Sequence, residues 1–303
     1  MEKARLVFLG SSASTPTKNR GLSCAALKYM GEWLLFDVPE GTQRQMMHCN
    51  VSMLKIRYIF ISHFHADHFL GLPGLLATMS IHQRDYPITI FGPRGVKERV
   101  DKILNAALMR LTFEVKAKEV RKGNVVEEEN YSVRAFPLEH DVPCFGYAFK
   151  EKDKVGEFSR KNALALGIPE GHLWSRLQKG EVVEVNGKKF RPEQVIDASK
   201  AKKGKKISFV FDTKPSKNYF NEIKESDVLV HEATFSEKLT QRALETKHST
   251  AKQAGMVAEQ TRCKHLVLWH ISARHKEEDK LENEARTEFN NVTVAKDFLE
   301  LEV

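Results

Sequence analysis

Long apolar runs are missing from this 303-residue chain, and with them any candidate for a membrane-spanning helix, which needs about 20 consecutive apolar residues. The opening stretch MEKARLVFLG is too short in apolar residues for a secretory signal, so the cytoplasm is the expected address. The four cysteines, Cys24, Cys49, Cys144 and Cys263, have no CxxC spacing. Neither a disulfide framework nor a cysteine zinc site is indicated, and reduced, buried thiols are expected. There is no low-complexity tract and no repeat at a fixed short period. An apolar fraction of 41% with 29% charged residues is ordinary for a globular protein that folds throughout, and the length suits one large or two ordinary domains.

What the chain does have is an uneven positive charge. The net of +8 favours an anionic partner without identifying it. From Lys150 to Lys206 there are 15 Lys/Arg against 8 Asp/Glu, a local net of +7 that leaves +1 for everything else.

Strand-like runs at Ala4–Leu9, Cys24–Tyr29, Trp33–Asp37, Ile56–Ser62 and Ile88–Phe91 alternate with amphipathic helical stretches at Gly41–His48, Gly71–Gln83 and Val96–Ala107. Further strands are expected at Thr112–Lys116, Tyr131–Pro137 and Cys144–Phe149, with turns at Gly31 and at Gly123-Asn124. A second series follows: strands at Ile207–Phe211 and Asp227–His231, a helix at Ser249–Glu259, and the strand Leu266–Trp269. Two blocks of this kind fit two sheets packed face to face with helices outside. Between them the Lys- and Gly-rich segment 154–206 has apolar residues too sparse for a core of its own, and is expected to be a projecting insertion.

The densest chemistry lies in ISHFHADHFLGL, where His63, His65, Asp67 and His68 fall within six positions directly after an apolar strand. Positions i and i+2 do not share a helix face, so this spacing predicts a loop that curls to aim its side chains at one point. Imidazole and carboxylate without thiolate suit zinc, iron or manganese. Three more candidates end strand-like runs: His140 closes RAFPLEH, Asp212 closes ISFVFD and His270 closes LVLWH.

This series, HFHADH, a lone His, Asp-Thr after a strand and a late His, resembles the metallo-β-lactamase superfamily. Its α/β class, an αββα four-layer sandwich, agrees with the two blocks. Within it the chain resembles the ribonuclease Z family of tRNA 3′-processing endoribonucleases, short form, over essentially its whole length. FLGSSASTPTKNRG is similar to that family's amino-terminal Gly-containing and Pro-x-Lys loop, VHEATF to its His-Glu-Ala-Thr element, and KHST to its His-Ser-Thr element. The stretch LGIPEGHLWSRLQKGE resembles its tRNA-gripping flexible arm. The implied organisation is a single domain over 1–303 with a basic arm inserted at 152–206.

The resemblance implies two Zn²⁺ per subunit, with Mn²⁺ or Fe²⁺ as alternatives. One would be held by His63, His65 and His140, the other by Asp67, His68 and His270, with Asp212 bridging. Such a pair activates water at neutral pH and stabilises charge on phosphoryl oxygens. The resemblance further implies that Asp67 acts as general base, and that His248, oriented by Glu232, acts as general acid. Lys18, Arg20 and Arg274 are candidate contacts to phosphate or to the emerging 3′ end. The expected substrate is precursor tRNA, recognised by shape through its backbone, and the expected assembly is a homodimer in which one subunit's arm holds tRNA cut by the other. Of the arm's apolar residues, Leu164, Leu166 and Trp174 are expected to pack on sugars or on one another.

Two positions depart from the family's pattern. Gly21 stands where Asn usually follows Arg20, and Phe211 stands where a small residue usually precedes the bridging aspartate. The ligand set is shared with cyclic-nucleotide phosphodiesterases and thioester hydrolases of the superfamily, and a non-catalytic RNA-binding protein on the same fold is a rival of another class. The basic insertion argues against the first pair, and the intact ligands against the second.

Overall fold

The computed structural model describes residues 3–106 and 110–303, which form two compact units. The larger comprises Met1–Glu128, Ser132–Phe149 and Lys206–Val303, and the smaller Glu129–Tyr131 with Lys150–Lys205.

The larger unit is built on two seven-stranded sheets. The first runs in spatial order Glu300–Glu302, Arg5–Gly10, Cys24–Tyr29, Glu32–Phe36, Ile56–Phe60, Ile88–Gly92, Val115–Glu119. Strand alternation divides its side chains between two layers. Val7, Leu9, Leu35, Ile59 and Ile61 point outward into a core shared with the helices Thr42–Met47, Leu72–Ile81 and Val96–Asn105. Phe8, Phe36 and Phe60 point inward to the other sheet, where Phe36 stacks on Phe209 with centroids 3.9 Å apart, and Phe60 meets Tyr147 at 5.1 Å. From Glu32–Phe36 to Val115–Glu119 the strands are parallel, so each must be followed by a crossover.

The second sheet runs Val292–Val294, Leu266–Trp269, Val228–Glu232, Lys206–Val210, Cys144–Glu151, Tyr131–Leu138, Gly123–Glu127. Its first four strands are mutually parallel. The helix Ala251–Gln260 packs on two of them and against the helix Glu278–Arg286. That helix pair closes because Gly255 has no side chain: a Cβ there would stand 2.6 Å from the Ala285 carbonyl oxygen. The layers are therefore helices, sheet, sheet, helices. The ends that matter are the carboxyl ends of the parallel strands, where α/β sheets place their ligands.

The smaller unit has a core of its own, contrary to expectation. Ala163, Ile168, Trp174, Leu177, Val183, Phe190 and Val195 are buried together. They come from the short helices Arg160–Ala165 and His172–Gln178 and from the hairpin Val183–Val185/Lys188–Phe190. Ser159 caps the first helix by accepting from the Asn162 N–H. The hairpin turns at Asn186-Gly187, both with positive φ, as a two-residue primed turn requires. The Trp174 indole donates to the Ile168 carbonyl at 3.1 Å, so this ring is core, whereas Leu164 and Leu166 are exposed. Seven apolar residues suffice because the unit is small, and their spacing is too irregular for a periodicity argument to find them.

Other expectations shift. The strand expected at Thr112–Lys116 is Val115–Glu119, and Gly123-Asn124 opens the strand Gly123–Glu127 instead of turning. Gly31 does turn, with φ +83°. The helix expected over Val96–Ala107 is seen to Asn105, and Ala107 lies outside the described residues. No helix among the described residues is long and apolar enough to cross a membrane. All four cysteines are free; Cys24, Cys144 and Cys263 are buried and Cys49 half-buried.

Candidate metal centre

Seven side chains leave the carboxyl ends of strands in both sheets and meet at one point. His63, His65, Asp67 and His68 follow Ile56–Phe60, His140 follows Tyr131–Leu138, Asp212 follows Lys206–Val210, and His270 follows Leu266–Trp269. His63, His65, His140 and Asp212 bring one ligand atom each within 4.8 Å of one another, and so do Asp67, His68 and His270.

Asp212 faces both groups with different oxygens. Its Oδ2 lies 3.7 Å from His63 Nε2 and 3.9 Å from His140 Nε2. Its Oδ1 lies 3.5 Å from His68 Nε2 and 3.4 Å from His270 Nε2. Asp67 Oδ2 completes the second group at 3.5 Å from His68 Nε2 and 3.7 Å from His270 Nε2. Donors about 2.0–2.1 Å from a tetrahedral zinc lie about 3.3–3.4 Å apart, close to these separations. Independently, His68 Nε2, Asp212 Oδ1 and His270 Nε2 are buried without a hydrogen-bond partner. Orphaned buried polar atoms are costly, and three that converge fit a divalent cation.

The far sides of these side chains are held. His68 Nδ1 is 2.6 Å from Asp37 Oδ2. Asp37 also accepts from the Ser62 N–H and Oγ–H, both at 2.7 Å, and Ser62 Oγ is 2.9 Å from His63 Nδ1. Asp67 Oδ2 accepts from the Ser14 N–H at 2.8 Å. His270 Nδ1 meets Thr234 Oγ1 at 2.9 Å, and His140 Nδ1 lies 3.3 Å from the Lys247 carbonyl oxygen. Asp37 and His270 both hold left-handed backbone, with φ +59° and +54°, a strain of the kind concentrated at functional sites.

Electrostatics separate the roles. Burial pulls the Asp67 carboxyl up, but the neighbouring His270 and His68 imidazoles outweigh it and hold it well below the usual range. Burial pushes His63 well below its ordinary value, toward the neutral form that ligates. His248 goes the other way. Burial alone would lower it, yet the Glu232 carboxylate, 2.9 Å from Nδ1, raises it to about 9. Glu232 is itself fully buried. It is desolvated upward but lowered on balance by the charge and hydrogen bond of His248, and it also accepts from the Thr213 and Thr234 N–H groups.

The geometry of His270 and His248 with Asp212 would also admit a cation. His248, with Nδ1 engaged by Glu232, lines a cavity of about 360 Å³ together with His65, Asp67, His140 and Asp212.

The remaining sequence candidates fall on the surroundings. Lys18 is exposed, and Arg274 is exposed with its guanidinium 5.4 Å from the Phe235 ring, which lies 6.0 Å from the His248 ring. Arg20 is buried instead: Nη1 donates to the Ala295 carbonyl at 2.7 Å, and the side chain anchors its loop. The helix after His248 is capped by Thr250 through a capping box with Gln253, and Ser249 Oγ donates to the Thr213 carbonyl. Phe211 fills the space beneath Asp212 with its ring edge-on to Trp269 at 5.3 Å.

Sequence reasoning missed Asp37, Ser62 and Thr234. Asp37 carried a signal, since it ends the apolar run WLLFD just as Asp212 ends ISFVFD. Groups that orient ligands commonly set metal affinity by 10–100-fold. Asp37→Asn is therefore expected to weaken metal binding by about that factor with the fold retained, as measured by competition with a chromogenic chelator and by circular dichroism; unchanged affinity would remove Asp37 from the centre.

A family model described as anti-Pycsar protein Apyc1 matches residues 4–153. The ribonuclease Z of Methanosarcina mazei is 42% identical over 300 residues, covering 99% of this chain and 98% of that protein. The ribonuclease Z of Nitrosopumilus maritimus is 42% identical over 299 residues, covering 99% of each. Among solved structures, human tRNase Z, short form, superposes with a TM-score of 0.71 at 27% identity over 99% of both chains. The metallo-β-lactamase fold protein YhfI from Bacillus subtilis gives 0.71 at 16% identity over the whole of both, a likeness of fold alone.

Proposed function

Since the chain belongs to the ribonuclease Z family, we propose that it is a metal-dependent endoribonuclease that removes the 3′ trailer from precursor tRNA. The cut leaves a 3′-hydroxyl on the tRNA and a 5′-phosphate on the trailer. The observation that carries this is Asp212, whose two oxygens face two ligand groups while the Glu232-held His248 shares the same cavity. The family model that matches residues 4–153 ends before Asp212, Glu232, His248 and His270, so it supports no competing assignment of these groups.

In this proposal His63, His65 and His140 would hold one divalent cation and Asp67, His68 and His270 another, with Asp212 available to both; zinc suits the donor set, and manganese or iron(II) are alternatives. Bound there, the cations supply Lewis acidity that activates water and neutralises charge on the phosphoryl oxygens. Asp67, ionised at any working pH, takes the proton of the attacking water. The water oxygen bonds to phosphorus, the P–O3′ bond breaks, and the protonated His248 gives its proton to the departing O3′. Glu232 keeps that imidazole charged and fixes Nδ1.

The smaller unit is, on this proposal, the arm that grips tRNA. Its segment carries most of the chain's net positive charge, suited to a phosphate backbone. Homodimer formation and a cytoplasmic location belong to the same proposal.

Cleavage in ¹⁸O-water tests the bond broken. The label is expected in the 5′-phosphate of the trailer, read by mass spectrometry. A 2′,3′-cyclic phosphate on the tRNA would contradict attack by water.

A further inference from the structure

The loop 139–143, between the strands Tyr131–Leu138 and Cys144–Glu151, brings one more acid to the centre. Asp141 lines the same cavity as His65, His140 and Asp212, and the reaction as derived gives it no part. Its side chain is 59% exposed, yet it does not point away into solvent. Oδ1 lies 2.9 Å from His140 Nε2 and 3.8 Å from His65 Nε2. Among the described residues these two imidazoles are its only ion-pair partners.

The 2.9 Å approach is made to the nitrogen that His140 turns toward its group. His140 Nε2 lies 3.4 Å from His65 Nδ1, which is in turn 3.0 Å from His63 Nε2. The other nitrogen, Nδ1, meets the Lys247 carbonyl oxygen at 3.3 Å. A carbonyl only accepts, so Nδ1 carries the hydrogen, and the neutral ring turns a lone pair toward Asp141. A lone pair and a carboxylate oxygen at that distance repel unless a cation lies between them. Donors about 2.1 Å from one ion and at right angles to each other lie about 3.0 Å apart, which is the spacing seen. Orientation of His65 is the weaker reading, because 3.8 Å is too long for a hydrogen bond.

Charge points the same way. The second group has Asp67 of its own besides access to Asp212, whereas the first has three imidazoles and Asp212 alone. With Asp141 added, each group has one carboxylate of its own.

From the juxtaposition of Asp141 with His140 and His65 at the edge of the cavity, we infer that Asp141 is an eighth ligand, the fifth protein donor to the cation of the first group, and that it sets which metal is preferred there. Four donors rich in nitrogen satisfy zinc, whereas added carboxylate oxygen and a larger sphere suit manganese. Asp141 therefore tilts the first position toward Mn²⁺. The inference rests on the two-cation proposal and deepens it.

The test measures Zn²⁺ and Mn²⁺ affinities of wild type and Asp141→Asn by competition with a chromogenic chelator. Asparagine keeps the shape and can still accept a hydrogen bond, but it brings no charge to a cation. Because the side chain is largely exposed, the fold should survive, and the melting temperature of the metal-free protein checks this. Manganese affinity at one of two positions is expected to fall by about 10–100-fold and zinc affinity by less, so that selectivity for zinc over manganese rises. In crystals of the manganese-loaded wild type, an Asp141 oxygen should lie about 2.2 Å from the ion. Unchanged affinities, equal losses for both metals, or an Asp141 carboxylate out of contact with the ion would each overturn the inference. A wild type that binds neither metal would overturn the two-cation proposal instead.

Discussion

Asp212→Ala should abolish precursor cleavage, by about 10³-fold or more, because one residue serves both ligand groups. Each of its oxygens lies 3.4–3.9 Å from two imidazole nitrogens, so its removal opens both sets at once. Metal content, measured by elemental analysis, should fall from the two ions per chain of the proposal to one or none. The other effect of the substitution is electrostatic. Asp212 is the charge that attracts the imidazolium forms of His63 and His68, and without it the cluster loses its anionic centre. A variant that kept two ions and its rate would show that Asp212 is no bridge.

His248→Ala has the next largest expected effect, a loss of about 10²–10⁴-fold, the usual worth of a positioned acid, with metal content unchanged. The pH dependence gives the sign. His248 is raised to about 9 by Glu232, so it is protonated and competent below that value, and activity falls as the pH rises through it. Cations held at the centre would repel the imidazolium and draw this alkaline limb downward. Glu232→Gln removes the carboxylate that opposes them, so the limb must move further toward lower pH. A loss of ions in His248→Ala would instead make it a ligand, and a limb that stayed in place in Glu232→Gln would remove the pairing.

The centre was legible in the sequence to different depths. His63, His65, Asp67 and His68 announced themselves by density, and His140, Asp212 and His270 by their place after apolar runs, because strand ends are where a sheet offers side chains to a crevice. Asp37 obeyed the same rule and was passed over for want of a neighbour in sequence: its partner His68 is 31 residues away. Thr234 stood in the VHEATF element without a role of its own and the Ser14 N–H had no signal, since a hydroxyl or a backbone amide acquires a role only once folding brings it to His270 or Asp67.

The fold shows the same division. Short apolar runs gave the central strands, whereas Val115–Glu119, largely exposed at a sheet edge, lacks the apolar pattern that would have located it. The helix Glu278–Arg286, sparse in apolar residues, is held by packing against the helix Ala251–Gln260. The smaller unit's core was invisible because its apolar residues come from separate short elements whose meeting no single period records.

Cleavage of a 5′-labelled precursor tRNA by metal-loaded protein, with and without a chelator, is the most direct measurement. A single cut at the discriminator nucleotide, lost on chelation and restored by added zinc, is the predicted result. An intact precursor beside a hydrolysed small phosphodiester or thioester would contradict it.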